Sequence, residues 1–267
     1  MIKWLASYPK SGNTWLRMFF NAYVSGMPVD INNPYQYIIS DVSLPMFQTV
    51  CAKPVTQLTH LEQFYYRPAV LLNMLSLHAT DELVLKTHHA KAVVDDIHII
   101  PAIFSLPSIY LIRDPRDIAI SYARHTNISI NESISQLNNP KQAGDHENGL
   151  IHLMLTWSQH VESWTVKNNN IPVTVLKYED LLEDPDTNFK AALKAFNLDF
   201  DSKRFKFALE QSSFDNLKNL ENQNKFREAT HGVFFKHGRS VWKNILTKEQ
   251  REIIWSNHKE VIEKYYG

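Results

Sequence analysis

The chain has 267 residues, and its 28 Lys and Arg balance its 28 Asp and Glu. No bulk charge therefore draws it to nucleic acid or a membrane surface, although a local basic pocket for a small anion stays open. A 44% hydrophobic share suits one large soluble domain or two small ones, and the single cysteine, Cys51, excludes an internal disulfide and fits a reducing compartment.

The N-terminal MIKWLASYPK lacks the apolar core of a signal peptide, and no later stretch reaches spanning length, so a cytoplasmic location without a membrane span is expected. Short apolar runs then alternate with stretches of helical period, the pattern of an α/β fold with a central parallel sheet covered by helices. Lys3 to Ser7 reads as the first strand and Thr14 to Ser25 as a helix. Glu82 to Thr87 and Ser108 to Arg113 follow as strands, with Pro115 to Thr126 as a helix. Gly149 to Lys167 is expected to be helical, Pro172 to Tyr178 extended, and Asp186 to Phe196 helical. The last helix is placed at Lys248 to Tyr265, with Thr247 as its cap and Gln250 at the reciprocal position of a capping box. Two polar segments, 127–148 and 217–239, interrupt the pattern and read either as surface loops or as a lid and a binding segment.

In open α/β sheets ligands bind beyond the carboxyl ends of the strands, where YPKSGNTW, LKTHH, RDPRD and YED all fall. YPKSGNTW offers a cation, a glycine turn and a helix start, the parts of an anion cradle. Lys10 precedes Gly12, however, whereas the nucleotide-triphosphate loop GxxxxGK[ST] places Lys after its second Gly and a magnesium-binding hydroxyl next. The Ser11-Gly12-Asn13-Thr14 turn taken alone is equally a capped helix start. Trp15 adds a flat face on which a base could stack. Arg113 at a strand end and Ser121 two helical turns later present a planar cation and a hydroxyl to one anion, the competing reading being an exposed Arg paired with Asp114 or Asp117.

Six elements in order resemble the cytosolic sulfotransferases. YPKSGNTW is similar to that family's YPKSGTTW loop, LKTHH to its KTH element, and RDPRDIAISY to its 3′-phosphate segment. VLKYEDL resembles its YED segment, QSSFDNL its TSFxxM stretch, and FFKHGRSVWKN its RKGxxGDWKN. The resemblance implies one sulfotransferase domain over residues 1–267, with a P-loop nucleotide-kinase-like fold and 3′-phosphoadenosine 5′-phosphosulfate (PAPS) as co-substrate. It also implies that Lys10, Ser11, Gly12, Asn13, Thr14 and Trp15 surround the 5′-phosphosulfate, and that Arg113 and Ser121 meet the 3′-phosphate. Tyr178, Ser212, Phe214 and Leu217 would line the nucleotide, with Lys236, His237, Gly238 and Arg239 closing the site. Leu217 stands where the family has Met. The last segment runs one residue short, so either Lys236 or Arg239 supplies the cation. Lys243, Thr247 and Glu252 resemble a dimer element, with Lys248 at its apolar position, so a homodimer is possible.

Sulfuryl transfer needs a base for the acceptor's proton and a cation at the departing oxygen. His88 is assigned as the base, Lys10 and Lys86 as the cations, and His89 faces elsewhere if the segment stays extended. Ser11 could regulate the Lys10 contact. No HExxH or Cys/His spacing points to a metal. The acceptor is expected to be a small-molecule, lipid or glycan hydroxyl, or an amine, held by residues 26 to 80 together with the polar segment 127–148; Pro34, Tyr35, Phe47, Phe64, Tyr65, Tyr66 and Met74 read either as its apolar wall or equally as core. Two rivals stand beside this reading: a magnesium-dependent nucleotide kinase-like phosphotransferase, and a non-catalytic nucleotide-binding module of the same fold.

Overall fold

The computed structural model describes the chain apart from residues 34–35, 79–80, 146–148, 167–169, 230 and 236–240. Strand β1 (Ile2–Ser7) runs into a turn and helix α1 (Asn13–Ser25). After β2 (Ile38–Ser40) come α2 (Leu44–Val50) and α3 (His60–Leu77), the latter opened by a Thr59–Glu62 capping box. Next are β3 (Leu83–Thr87), the small β4 (Val93–Val94) and β5 (Ile97–His98) pair, and β6 (Ser108–Ile112) leading into α4 (Pro115–Thr126). Asp114 caps α4 and Pro115 opens it, the arrangement favoured at a helix entry.

The polar stretch after α4 is not a bare loop. Ser129 and Glu132 form a capping box that starts α5 (Ile130–Leu137), whose Ile134 and Leu137 are buried and whose Ser133 hydroxyl donates to the Ala119 carbonyl on α4. The helix expected from Gly149 begins later. Residues Ile151–Leu153 instead form β8, antiparallel to β7 (Ala143–Asp145), and Thr156 with Gln159 caps α6 (Trp157–Thr165). Leu155 adopts a left-handed φ of 59° between the two, which breaks the helical period there.

Strand β9 (Val173–Lys177) is followed by α7 (Tyr178–Glu183) and α8 (Pro185–Ala195). Then come α9 (Ser202–Gln211) and α10 (Phe214–Gln223). Helix α10 converts the start of the second polar segment into regular structure. Helices α11 (Trp242–Ile245) and α12 (Lys248–Tyr266) end the chain, and α12 carries the Thr247–Gln250 capping box read from the sequence.

The main sheet is wholly parallel in the order β2-β3-β1-β6-β9. Its three central strands, β3, β1 and β6, are buried on both faces, so alternate side chains feed two cores. Trp4 and Ala6 of β1 join Leu85, Tyr110, Ile118, Trp157 and Trp164 on one side. Leu5 joins Ile109, Leu111, Phe19, Phe189 and Phe205 on the other. Register pairs Ala6 with Thr87 and Ser7 with Leu111, so the turn after β1 and the ends of β3 and β6 lie side by side. The sheet order reverses at β1, the switch point where such folds open a crevice. Among the described residues, no helix is long and apolar enough to cross a membrane.

Candidate active site

A cavity of about 910 Å³ opens at that switch point, lined by Lys10, Gly12, Lys86, His88, Arg113 and Ser121 together with residues from α4, the β7–β8 hairpin and the 226–235 segment. The turn after β1 is shaped by two backbone requirements. Lys10 holds a left-handed φ of 67°, and Gly12 caps α1 at φ 98°. At Gly12 a Cβ would come within 2.6 Å of the Tyr178 ring, so the loop passes too close to α7 for any side chain. Arg113 supports the loop by donating to the Lys10 carbonyl at 2.9 Å, and its guanidinium lies 4.2 Å over the Tyr178 ring.

Two lysines face the cavity under electrostatic pressure. Burial, then the Arg113 charge, brings Lys10 down to about 7, and its ammonium rests 4.0 Å over the Phe234 ring. Burial and Arg17 bring Lys86 down to about 8. Both therefore gain from an anion that would restore their charged form.

His88 is held by its own backbone and by β1. Its Nδ1 lies 2.8 Å from the Ser7 carbonyl, and its carbonyl oxygen is 3.1 Å from His160 Nε2. His160 in turn meets the Tyr110 hydroxyl through Nδ1 at 2.8 Å, and burial pushes its pKa down to about 4, so it is a neutral brace at physiological pH. One turn along α6, Trp164 Nε1 donates to the His89 carbonyl at 3.0 Å. Helix α6 thus pins the peptide on which His88 stands.

Strand β3 ends at Thr87, before both histidines, and His89 is absent from the cavity's lining: it is 2% exposed, and its Nδ1 accepts the Leu153 N–H at 3.0 Å. With Asp41 and His152 it brings three potential ligand atoms within 4.8 Å of one another. His89 is not placed as a ligand: its Nδ1 is occupied as an acceptor, which leaves the proton of the neutral ring on Nε2, so neither nitrogen offers a lone pair. Asp41 meets Arg67 through Oδ2 at 2.6 Å, while its buried Oδ1 has no hydrogen-bond partner among the described residues.

The remaining sequence-assigned residues divide into two groups. Thr14, Trp15, Asn13, Tyr178 and Phe214 line the cavity, with Trp15 packed on Phe214 at 4.8 Å and donating through Nε1 to the Ser212 carbonyl at 2.7 Å. The side chain of Asn13 points back, donating to the Leu5 carbonyl and to Ser7 Oγ at 3.2 Å each. Ser11, Ser212 and Leu217 are buried and absent from the cavity's lining, and the Ser212 hydroxyl donates to the Ala208 carbonyl. They stand behind the wall. Lys236, His237, Gly238 and Arg239 lie outside the described residues, as do Pro34 and Tyr35.

Among the described residues, none of 26 to 80 is in the cavity's lining, and the core reading of its large apolar side chains is the one seen. Phe47, Phe64 and Met74 belong to the core under the sheet, Tyr66 packs against that core, and Tyr65 bonds Asp95 at the surface. Near His88 the lining comes instead from Gly144, His152 and Met154 of the β7–β8 hairpin and from Ile120 of α4. The His152 ring meets His88 edge to face at 5.4 Å. Gly144 lies in the 127–148 segment that the sequence placed beside the acceptor, whereas His152, Met154 and Ile120 were missed, as were Arg17, His125 and Glu228 on the same cavity. Arg17 carried a signal, a lone cation inside the apolar run of α1. Glu228 carried none, because it arrives from 211 residues away.

A family model of the sulfotransferase domain matches residues 3–265. The chain belongs to the sulfotransferase family. Among its curated relatives, sulfotransferase 1B1 of Canis lupus familiaris is 25% identical over 93% of this chain and 79% of its own length. Cytosolic sulfotransferase 15 of Arabidopsis thaliana is 26% identical over 93% of this chain and 68% of its own. The fold is also that of solved sulfotransferase structures. Mouse sulfotransferase SULT7A1, solved with PAP, superposes with a TM-score of 0.63 at 17% identity over 99% of this chain and 84% of its own. Retinol dehydratase, solved with androsterone and PAP, gives 0.66 at 16% identity over 100% and 82%. As a sulfotransferase, the chain sets its anion-cradle turn and its KTH histidine on neighbouring strand ends.

Proposed function

We propose that this protein transfers the sulfuryl group of PAPS to a hydroxyl or amine of a small acceptor, with His88 as general base and Lys10 and Lys86 stabilising the charge of the phosphosulfate. The observation that carries this reading is that Lys10, Lys86 and His88 line one cavity although they come from two separate strand ends. Sulfuryl transfer in line requires a cation at the departing oxygen and a base on the opposite side of the sulfur, both held in advance of the reaction. The carbonyl of Ser7 fixes the ring of His88 so that Nδ1 carries the proton and Nε2 has the basic lone pair. An entering polyanion raises both depressed lysines, with the larger effect at Lys10, the more neutral of the two near pH 7.

PAPS fits the rest of the cavity by chemistry. Arg113 and Ser121 are assigned to the 3′-phosphate, and the Trp15–Phe214 pair with Tyr178 offers aromatic faces for adenine. The acceptor is assigned to the end bounded by His88, His152, Gly144 and Met154. A relative of this fold solved with retinol and PAP supports a small molecule there. The reading is tested by turnover of radiolabelled PAPS against a panel of phenols, alcohols, lipid and glycan hydroxyls and amines, paired with thermal melts. Adenosine 3′,5′-bisphosphate is expected to raise the melting temperature. Stabilisation by ATP with magnesium and not by the bisphosphate would favour phosphoryl transfer and overturn it.

A further inference from the structure

Arg17 stands one turn into α1, is 1% exposed, and turns its guanidinium back toward the anion-cradle turn. Its Nη2 donates to Thr14 Oγ1 at 2.8 Å and to the two carboxylate oxygens of Glu228 at 2.9 and 3.0 Å. Thr14 Oγ1 completes the triangle by donating to Glu228 Oε2 at 2.9 Å. A carboxylate is therefore gripped by a hydroxyl and a guanidinium in the first turn of α1. That turn has no acidic residue of its own, and Gly12 gives it no side-chain cap. Such a helix end favours negative charge. Burial pushes the Glu228 carboxyl up, but Arg17, Lys86 and Thr14 together hold it below its ordinary value, so it is an anion here.

Glu228 thus occupies the Thr14 hydroxyl, one of the groups given above to the phosphosulfate. A carboxylate and a phosphate cannot share the Thr14 hydroxyl, because two anions at hydrogen-bond range repel strongly. We propose that Glu228 is an internal stand-in for the 5′ anion of the nucleotide, and that Arg17 is a further ligand for that anion, exchanging the carboxylate for it when the nucleotide enters. This inference rests on the assignment of the cavity to PAPS. The exchange keeps a buried guanidinium paired in both states, so neither leaves an isolated charge in the interior. It also lowers the apparent affinity of the free enzyme, since nucleotide binds fully only where Glu228 has withdrawn.

The test is calorimetric titration of wild type and Glu228→Gln with two probes, adenosine 3′,5′-bisphosphate and adenosine 3′-monophosphate. Removing the competing charge is expected to tighten the bisphosphate by about tenfold, within the usual span of coupled sites. The 3′-monophosphate, which brings no 5′ anion, should bind both proteins alike. Arg17→Lys in the Glu228→Gln background should weaken the bisphosphate alone by a similar factor. Circular dichroism confirms folding, and Glu228→Ala serves if the Gln variant is unfolded. Equal or weaker bisphosphate binding by Glu228→Gln, or a like change for both probes, would make Glu228 a structural clasp and overturn the inference while leaving the PAPS reading intact. A folded wild type that binds neither probe would overturn both.

Discussion

Nδ1 of His88 lies 2.8 Å from the carbonyl oxygen of Ser7, the last residue of β1. A carbonyl only accepts, so the imidazole must carry its proton on that nitrogen and its basic lone pair on Nε2. The strand that leads into the anion-cradle turn therefore also sets the tautomer of the proposed base. His88→Ala is expected to lower turnover by about 10²- to 10⁴-fold, the usual worth of a general base, with adenosine 3′,5′-bisphosphate affinity nearly unchanged by calorimetry. Loss of both would make His88 structural.

Arg113 touches the loop backbone and the Tyr178 ring from one guanidinium. Arg113→Ala should weaken adenosine 3′,5′-bisphosphate by about 1.5 to 3 kcal/mol, the range of a hydrogen bond to a charged group. The same variant should bind adenosine 5′-monophosphate, which lacks the 3′-phosphate, with a much smaller loss.

The Lys10 ammonium titrates at about 7 in the free protein instead of its ordinary 10.5, through burial and then Arg113. An anionic nucleotide raises that value, so binding takes up a proton and affinity falls as pH climbs above about 7. Calorimetry at pH 8 in buffers of different ionisation enthalpy should show uptake, and Lys10→Arg should abolish that component. In the free protein the sign for stability is opposite. Between about 7 and 10.5 the unfolded chain binds more protons than the folded one, so Lys10 makes stability rise with pH across that window.

Gly12→Ala should destabilise the protein by about 1 to 3 kcal/mol in urea melts, from the strained φ and the contact with Tyr178. Nucleotide binding should fall further than stability, because relief of the clash displaces the loop that holds Lys10.

The Asp41, His89 and His152 cluster has metal-like spacing, but the His89 tautomer leaves that ring no free lone pair, so three ligands are not available together. Zinc at micromolar concentration is accordingly expected to leave the melting temperature unchanged. A rise that His152→Ala removes would mark a metal site there.

Much of the frame was legible because local chemistry and long-range order agreed. Four of the five strands of the main sheet, β1, β3, β6 and β9, and helices α1, α4, α8 and α12 follow apolar runs and caps written within a few residues of themselves, whereas the short edge strand β2 was not read from the sequence. Helix α5 was also legible through Ser129 and Glu132, yet the polar composition around it masked the signal. The β7–β8 hairpin was not, since Ile151–Leu153 earns its extended form from pairing with Ala143–Asp145 and from the Leu155 turn. That pairing puts His152 in the cavity wall beside His88, while of the two readings open for the large apolar residues of 26 to 80 the core one holds for Phe47, Phe64 and Met74, as such side chains bury when a sheet face is within reach.

By itself the sequence determined the family and the parallel sheet and nominated the residues proposed to react, because the order Lys-Ser-Gly before a helix and Lys-Thr-His after a strand is local to the chain. Only the tertiary structure decided which atoms meet. The register of β1 against β3 brings Ser7 to His88, and the return of the chain near its end brings Glu228 to Thr14 and Arg17. Those partners lie 81 and 214 residues apart, and hydrogen bonds reach only about 3 Å, so no local pattern in the chain could announce them.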